Sequence, residues 1–187
     1  KHSPHTNYQD AKVALEETAA ILYTSGGTGK PKGVIYTHQI FQEQTNILQN
    51  LFHLTSEDID LPAFPLFSLF TIAMGMTSHI PDMDPSKPAS CNPENLYKNI
   101  MDNKPTFVAG SPAIWEKVAD YCIANKLTLP SIKYVVMFGA PVSVLIHSKF
   151  KNILPNGTTY TPYGATEALP VSNISGKEVL EHTAKLS

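Results

Sequence analysis

The sequence lacks the features that mark several large classes of protein. It contains two cysteines, Cys91 and Cys122, which are far apart and form no Cys-x-x-Cys pair. Neither a zinc site nor a disulfide framework is therefore indicated, and we expect free thiols in a reducing cytoplasm. The formal net charge of −2 at pH 7 provides no basic surface for nucleic acid, so a nucleic-acid partner is not expected.

Long apolar runs are also absent. The most apolar stretch, residues 61–76, is interrupted by Pro62, Pro65 and Ser68. A membrane-spanning helix needs about 20 apolar residues, and this stretch is shorter. We expect it to be a core segment, with no transmembrane segment and no secretory signal in the chain. With 187 residues, the chain can bury about 70% of its unfolded surface in one domain.

A glycine-rich stretch dominates what is present. Residues 23–34 read Tyr-Thr-Ser-Gly-Gly-Thr-Gly-Lys-Pro-Lys-Gly-Val. The apolar segment before it, residues 19–23, predicts a buried strand, and residues 34–37 predict a second one. Glycines let backbone N–H groups face a phosphate, hydroxyl groups add donors, and Lys32 adds a positive charge. We predict a phosphate-binding loop with these contacts: Thr24, Ser25, Gly26, Gly27, Thr28, Gly29 and Lys32.

Two common phosphate motifs do not fit this loop. A Walker A loop would need Gly at the position of Thr24 and a hydroxyl residue at the position of Pro31. A P-loop NTPase is therefore disfavoured. The dinucleotide pattern G-x-G-x-x-G would need Gly at the position of Lys32. A surface loop that only connects two strands is the remaining structural alternative.

The rest of the chain alternates short apolar strands with helical patterns. Further strands are predicted at residues 106–109, 133–138 and 158–161. Residues 61–67 form a strand-like run, and another strand is predicted to begin at residue 79 and to lead into a loop. Helices are predicted at 38–51, 69–76 (buried), 92–103, 111–125, 143–151 and 177–184. A polar turn is expected at 55–60. This alternation predicts an α/β fold with a mostly parallel sheet covered by helices on both faces.

Ligands of such sheets bind beyond the carboxyl ends of the strands, where two further motifs occur. Gly139-Ala140-Pro141 follows the strand predicted at 133–138, and Tyr163-Gly-Ala-Thr-Glu follows the strand at 158–161. In the second motif Tyr163 offers a ring for stacking and Thr166 a donor for phosphate, while Glu167 offers a hard carboxylate ligand for Mg²⁺.

Together these motifs resemble the adenylate-forming (AMP-binding) superfamily of acyl-CoA ligases, luciferases and peptide-synthetase adenylation domains. Eleven of the twelve positions from 23 to 34 fit its pattern Tyr-Thr-Ser-Gly-Ser/Thr-Thr-Gly-x-Pro-Lys-Gly-Val, and Gly27 is the departure. Residues 163–167 match its Tyr-Gly-x-Thr-Glu. The resemblance begins at about residue 19 and extends to the end of the chain.

The resemblance implies roles for individual residues. Lys32, Thr166 and Glu167 would be catalytic, with Glu167 also the Mg²⁺ ligand. The contacts to ATP or AMP would come from the phosphate loop together with Gly139, Ala140, Pro141, Tyr163, Gly164 and Thr166. Pro65-Leu66-Phe67 matches the segment beside the acyl pocket, and Ser68 replaces the His that many members have there. Phe67 and Ser68 are therefore candidates for substrate binding, and core packing is the alternative for Phe64 and Phe67.

The implied activity is ATP-dependent activation of a fatty acid, including 3-hydroxy acids, as an acyl-adenylate that is then transferred to coenzyme A. Residues 61–67 and 79–89 most resemble the branch of olefin β-lactone synthetases and their fatty-acyl ligase relatives. A β-lactone synthetase, which uses the substrate's own 3-hydroxyl as acceptor, is one alternative. A non-catalytic nucleotide-binding module is the other.

The superfamily's enzymes are several hundred residues long. Neither its Thr-Gly-Asp ribose motif nor its C-terminal domain with the catalytic lysine is found in this chain. We therefore expect a portion of a larger enzyme that is inactive alone, with a surface arm at residues 1–18 and an AMP-binding subdomain at 19–187. Because part of a sheet has exposed edges, self-association is expected as well.

Overall fold

A computed structural model describes residues 11–24 and 31–183. These residues belong to two compact units, one ending at Glu43 and the other beginning at Gln44. The boundary lies within helix α1 (His38–Phe52). The division into an arm of residues 1–18 and a subdomain of residues 19–187 stays a prediction.

The first unit is built on a β-hairpin. Strands β1 (Thr18–Thr24) and β2 (Lys32–Thr37) pair antiparallel, with Thr24 opposite Lys32. Both strands were predicted, but the prediction that residues 19–23 form a buried strand is wrong, since no residue of β1 is buried. In the described residues β1 pairs only with β2, and a strand in a two-stranded hairpin keeps one face open. Ile21 and Tyr23 are exposed on that face.

The second unit contains a six-stranded sheet. Its strands are β3 (Ile59–Pro62), β4 (Thr77–Ser78), β5 (Phe107–Gly110), β6 (Tyr134–Met137), β7 (Thr158–Ala165) and β8 (Ala168–Ser175). The spatial order is β4-β3-β5-β6-β7-β8, and only the β7–β8 pair is antiparallel. The predicted α/β fold with a mostly parallel sheet is confirmed.

Helices cover both faces of this sheet, as predicted. They are α2 (Ser68–Ala73), α3 (Pro93–Asn103), α4 (Pro112–Ala124), α5 (Val144–Lys151) and α6 (Gly176–Thr183). Alternation along the strands separates two cores. Val108 belongs to a cluster with residues of α3, α4 and α5, while its neighbours Phe107 and Ala109 belong to a cluster with the end of α1 and residues just after α2.

Local sequence signals place several helix ends correctly. The Asn92 side chain accepts a hydrogen bond from Glu94 N at 2.9 Å, and Pro93 occupies the first turn of α3. Ser143 caps α5 by accepting from Ile146 N at 3.4 Å. One face of α4 is apolar and fully buried, and it consists of Ile114, Trp115, Val118, Ala119 and Cys122.

Three predictions for the second unit are wrong. The helix predicted at 69–76 is α2, which is shorter and leaves Leu69 and Ile72 exposed. A strand was expected from residue 79, but the structure has the two-residue strand β4 just before that residue. A polar turn was expected at residues 55–60, but its last residue, Asp60, lies inside β3. Strand β8 was missed because it is an edge strand containing Pro170, and its sequence Ala-Leu-Pro-Val-Ser-Asn-Ile-Ser lacks the apolar alternation of a typical strand.

Among residues 11–24 and 31–183, no helix combines the length and apolar character needed to cross a bilayer.

Candidate functional site

The carboxyl ends of the parallel strands form one edge of the sheet. Ala63 N donates to Ala109 O at 2.8 Å, and Phe138 N donates to Gly110 O at 3.2 Å. The segments that leave β3, β5 and β6 therefore start side by side. Strands β3 and β5 are adjacent, but the chain continues from β3 to β4 on one side and from β5 to β6 on the other. Such a reversal creates a crevice at this edge, the usual ligand position in open α/β sheets.

The segment after β3, residues 63–68, is called the β3 loop here. It includes a 3-10 turn, Pro65–Phe67, and leads into α2. The Phe67 ring stacks on Phe138, with centroids 5.2 Å apart, and on Phe107 at 6.3 Å. Phe64 contacts Phe138 edge to face at 6.2 Å and is 45% exposed. The structure thus brings the predicted substrate residue Phe67 beside the strand end that leads to Gly139.

Phe67 contributes to packing, the alternative considered from the sequence, and it is also half-buried at the edge of the sheet. Its neighbour Ser68 uses its hydroxyl proton in a 2.7 Å hydrogen bond to Pro65 O. Because a hydroxyl group has one proton and two lone pairs, Ser68 can accept a hydrogen bond from a ligand in this geometry. Binding of substrate by Phe67 and Ser68 stays a prediction.

Gly139, Ala140 and Pro141 form an exposed turn between β6 and α5. Gly139 has φ +85°, and no atom lies within 4 Å of the position that a Cβ would occupy. Backbone conformation, and not lack of space, is therefore the structural reason for glycine here. The open surface above this turn leaves room for a ligand ring to lie along it.

The Tyr163–Glu167 motif lies at the tip of the β7–β8 hairpin. Tyr160 is the last residue of β7 that pairs with β6, and β7 continues beyond it. Tyr163 is therefore about 10 Å from Tyr160 along the strand direction. Tyr163 is 72% exposed, Glu167 is exposed and Thr166 is half-buried. The motif was expected to follow a strand ending at residue 161, but its first residues belong to β7 itself.

Gly164 has a structural role that sequence reasoning did not identify. A Cβ at this position would lie 2.6 Å from Ala168 O and 2.6 Å from Leu169 Cδ2. The register of the two strands shifts between Tyr163 and Ala165, which brings β8 close to Gly164. The absence of a side chain is needed for this approach. Only the position of β8 reveals this, and β8 was not predicted.

The phosphate loop is described only at its two ends. Thr24 and Lys32 are opposite each other at the end of the β1–β2 hairpin, and Thr24 Oγ1 lies 3.5 Å from Lys32 O. Lys32 is exposed. The other predicted contacts lie outside the described residues, namely Ser25, Gly26, Gly27, Thr28 and Gly29.

The metal prediction can be tested against the donors that are present. Within residues 11–24 and 31–183, no group of three or more His, Cys, Asp or Glu side chains could hold a metal ion. The Glu167 carboxylate is exposed and has no hydrogen bond or ion pair in the described part of the chain. A single free carboxylate fits Mg²⁺, which keeps several waters and commonly takes one or two carboxylates plus phosphate oxygens.

The family model described as "AMP-binding enzyme" matches residues 1–186. The chain belongs to the AMP-binding enzyme family. An olefin β-lactone synthetase from Xanthomonas campestris pv. campestris is 44% identical to it over 170 residues, covering 90% of this chain and 30% of that protein. The enzyme of the same name from Stenotrophomonas maltophilia is 43% identical over 169 residues, again covering 90% of this chain and 30% of that protein.

More distant relatives include a long-chain-fatty-acid–CoA ligase from Thermus thermophilus, 27% identical over 164 residues, which cover 85% of this chain and 30% of that protein. The fold is shared with O-succinylbenzoate coenzyme A synthetase from Bacillus subtilis in complex with AMP. That structure has a TM-score of 0.74 and 21% identity, covering 90% of this chain and 34% of that one. The chain thus spans about 30% of the length of the curated relatives that it matches.

Proposed function

We propose that this chain is the nucleotide-binding part of an AMP-forming ligase that activates a carboxylic acid with ATP. The observation that carries the proposal is the position of two family motifs, Gly139–Pro141 and Tyr163–Glu167, at the carboxyl edge of a parallel sheet. Membership of the AMP-binding enzyme family and the fold shared with an enzyme solved with AMP support ATP and AMP as ligands.

The proposed contacts follow from exposure and chemistry. The Tyr163 ring, largely exposed at the hairpin tip, stacks on adenine, and the Gly139–Pro141 turn lies along adenine and ribose. Thr166 donates to the α-phosphate. The assignment of Thr24, Lys32 and the residues between them to the phosphates depends on sequence resemblance.

Charge on the phosphates is the main barrier to attack by a carboxylate. Lys32 contributes a positive charge and the loop contributes N–H and hydroxyl donors, which stabilise the charge that develops as pyrophosphate leaves. Glu167 would hold Mg²⁺, which when bound neutralises phosphate oxygens. The carboxylate of the acid substrate attacks the α-phosphorus, the bond to the bridging oxygen breaks, and an acyl-adenylate and pyrophosphate result.

Two acceptors for the acyl group are proposed. With coenzyme A the complete enzyme is an acyl-CoA synthetase that acts on fatty acids. With the substrate's own 3-hydroxyl it forms a β-lactone. The names of the two relatives with more than 40% identity favour the second acceptor, and the names of several more distant relatives favour the first. The half-buried aromatic rings of Phe67 and Phe138 beside the β3 loop are compatible with an acyl chain in both reactions.

The test uses the complete protein with ATP, Mg²⁺ and a long-chain 3-hydroxy acid, with and without coenzyme A. Nucleotide and acyl products are identified by mass spectrometry. AMP with a thioester identifies the acyl-CoA synthetase, and AMP with a lactone formed without coenzyme A identifies the lactone synthetase. We expect Lys32→Ala and Glu167→Gln to reduce AMP formation by about 100-fold or more, as for other groups that stabilise transition-state charge.

Matched controls are available on the surface of α5 and α6. Lys151→Ala and Glu181→Gln remove the same charges from exposed positions and are expected to leave AMP formation unchanged. Formation of ADP in place of AMP would refute the adenylation proposal. So would the absence of AMP formation by wild type, if Lys32→Ala and Glu167→Gln also bind ATP as wild type does. ATP binding by wild type without AMP formation would identify a non-catalytic module.

A further inference from the structure

A buried carboxyl group lies beneath the β3 loop. Asp60 is in the middle of β3 and is 0% exposed. Its neighbour Leu61 belongs to the core with α3 and α4, so the Asp60 side chain is directed to the other face, where α2 lies. Thr71 Oγ1 donates to Asp60 Oδ2 at 2.6 Å, and Ser78 Oγ donates to the same oxygen at 3.3 Å. Asp60 Oδ1 has no hydrogen-bond partner among the described residues.

No cation among the described residues pairs with this carboxyl group. On the face of β3 that carries the Asp60 side chain, α2 and the 3-10 turn contain no titratable side chain, and neither do the neighbouring strands β4 and β5. Asp58 precedes β3 and pairs with Lys133 at 3.0 Å. His79 follows β4 and donates its backbone N–H to Asp60 O at 2.9 Å. Burial therefore raises the pKa of Asp60 to about 6, and the two hydroxyl donors offset this only in part.

Thr71 connects Asp60 to the β3 loop. Its hydroxyl oxygen also lies 3.3 Å from Ser68 O, and the Ser68 hydroxyl donates to Pro65 O at 2.7 Å. Because a hydroxyl group has one proton, Thr71 can donate either to the carboxylate or to the Ser68 carbonyl. An ionised Asp60 takes this proton in a short, charge-assisted hydrogen bond. A protonated Asp60 donates its own proton to Thr71 Oγ1, and the Thr71 proton then becomes available to Ser68 O.

We propose that Asp60 is a positioning residue for acid binding: by holding Thr71 it fixes the first turn of α2 and, with it, Phe67 and Ser68. This inference rests on the proposed function, in which the β3 loop contacts the acid substrate. The short bond between Asp60 and Thr71 exists when Asp60 is ionised. Protonation redirects the Thr71 hydroxyl to the backbone of Ser68 and changes the hydrogen bonding at the start of α2.

The expected pH dependence is specific to the acid substrate. We expect the KM for the acid to rise as the pH falls through about 6. Protonation of Asp60 is expected to leave the KM for ATP unchanged. The carboxyl group of a monomeric acid ionises near pH 4.3, as ordinary carboxyl groups do, so the two transitions are separate when the substrate is a short acid used below the concentration at which it aggregates. In Asp60→Asn the transition near pH 6 disappears, whereas other ionisations, including those of ATP, remain.

The test measures KM for the acid and for ATP separately in the complete protein. At pH 8 we expect Asp60→Asn and Thr71→Val to raise the KM for the acid by about tenfold, the equivalent of one hydrogen bond to a charged group. The KM for ATP stays within about twofold of the wild-type value. Thr71→Ser keeps the hydroxyl group and is expected to restore the wild-type KM and its pH profile.

Asp58→Asn is the matched control. Asp58 is also a buried carboxylate that accepts from a threonine hydroxyl, Thr106 Oγ1 at 2.8 Å, but it lies at the opposite end of β3 from the β3 loop. We expect this variant to lose stability and to keep the wild-type KM for the acid and its pH profile. An equal rise in the acid KM for Asp58→Asn would show that general destabilisation, and not positioning, causes the effect.

The two proposals fail in different ways. If the wild-type protein neither binds ATP in calorimetry nor forms AMP, the proposed function is wrong and the inference fails with it. If AMP is formed but Asp60→Asn and Thr71→Val leave the acid KM and its pH profile unchanged, only the inference is overturned. If Asp60→Asn does not fold, the Thr71→Val and Thr71→Ser pair and the wild-type pH profile give the answer.

Discussion

Two aspartates near the start of β3 are expected to affect stability in opposite directions as the pH changes. Burial raises the pKa of Asp60 from 3.8 to about 6. Burial also raises the pKa of Asp58, but hydrogen bonds from Lys133, the Thr55 backbone and Thr106 outweigh it, so this pKa lies below its ordinary value. The difference comes from the partners, because Asp58 has a lysine and Asp60 has two hydroxyl groups.

The magnitude follows from the pKa of Asp60. Between pH 3.8 and about 6 the unfolded chain has released this proton and the folded protein still holds it. The free energy of unfolding therefore falls as the pH rises through this window, and it stays lower above it. With about 1.4 kcal/mol for each pKa unit, the fall amounts to about 3 kcal/mol. An asparagine at position 60 does not titrate, so Asp60→Asn lacks this fall.

For Asp58 the sign is reversed. A depressed folded pKa contributes stability above pH 3.8, and this contribution is lost as the pH falls through the folded value. Asp58→Asn removes it and leaves Lys133 without its carboxylate. We expect a loss of about 1.5–3 kcal/mol at pH 8, the usual range for a hydrogen bond to a charged group, and a smaller loss at pH 3.

Amide hydrogen exchange of β3 and β5, read by mass spectrometry, measures these differences in a protein of any size. Comparing each variant with wild type at the same pH cancels the intrinsic pH dependence of exchange. Relative to wild type, Asp60→Asn should gain protection on the order of 100-fold between pH 4 and pH 8. If the protection of Asp60→Asn relative to wild type stays constant to within about threefold between pH 4 and pH 8, our account of Asp60 is wrong. A gain in relative protection for Asp58→Asn over the same pH range would refute the assignment of the Asp58 partners.

Three further predictions concern packing and the hairpin. Gly164→Ala forces a Cβ to within 2.6 Å of Ala168 O, so we expect weaker ATP binding than in wild type by calorimetry, and wild-type affinity would contradict the need for glycine at this position. Trp115→Ala removes a side chain with 0% exposure and should lower the free energy of unfolding by about 3–5 kcal/mol in urea titrations; a loss below about 1 kcal/mol would contradict its place in the core. Burial lowers the pKa of His147 below 6.5, so the stability that neutral His147 contributes falls as the pH drops below 6.5, and His147→Gln should abolish this component.

The strands and helices of the second unit were largely predictable because they depend on local patterns. Short apolar runs marked β5 and β6, and Asn92-Pro93 marked the start of α3. Strand β8 was not predictable, since an edge strand gains most of its stability from one neighbouring strand and needs no apolar pattern. The limited burial of β1 was missed for a related reason, because its apolar residues resemble those of a central strand.

The candidate site divides in the same way. Motif spacing predicted Lys32, the Gly139–Pro141 turn and residues 163–167 as site residues without any structure, because turns and loops need particular residue types at fixed positions. Sequence could not show that Phe67 stacks on Phe138 or that Gly164 is required by β8, since these partners are far apart along the chain.

By itself, the sequence determined the family and the α/β class and led to the residues that we propose for the chemistry, since these depend on residue types and their order. Only the tertiary structure decided which groups lie beneath the site. The Asp60 side chain has no local partner, and its burial, its bond to Thr71 and its raised pKa arise only when α2 and β4 pack beside β3. A side chain's dielectric surroundings and hydrogen-bond partners are properties of the assembled fold.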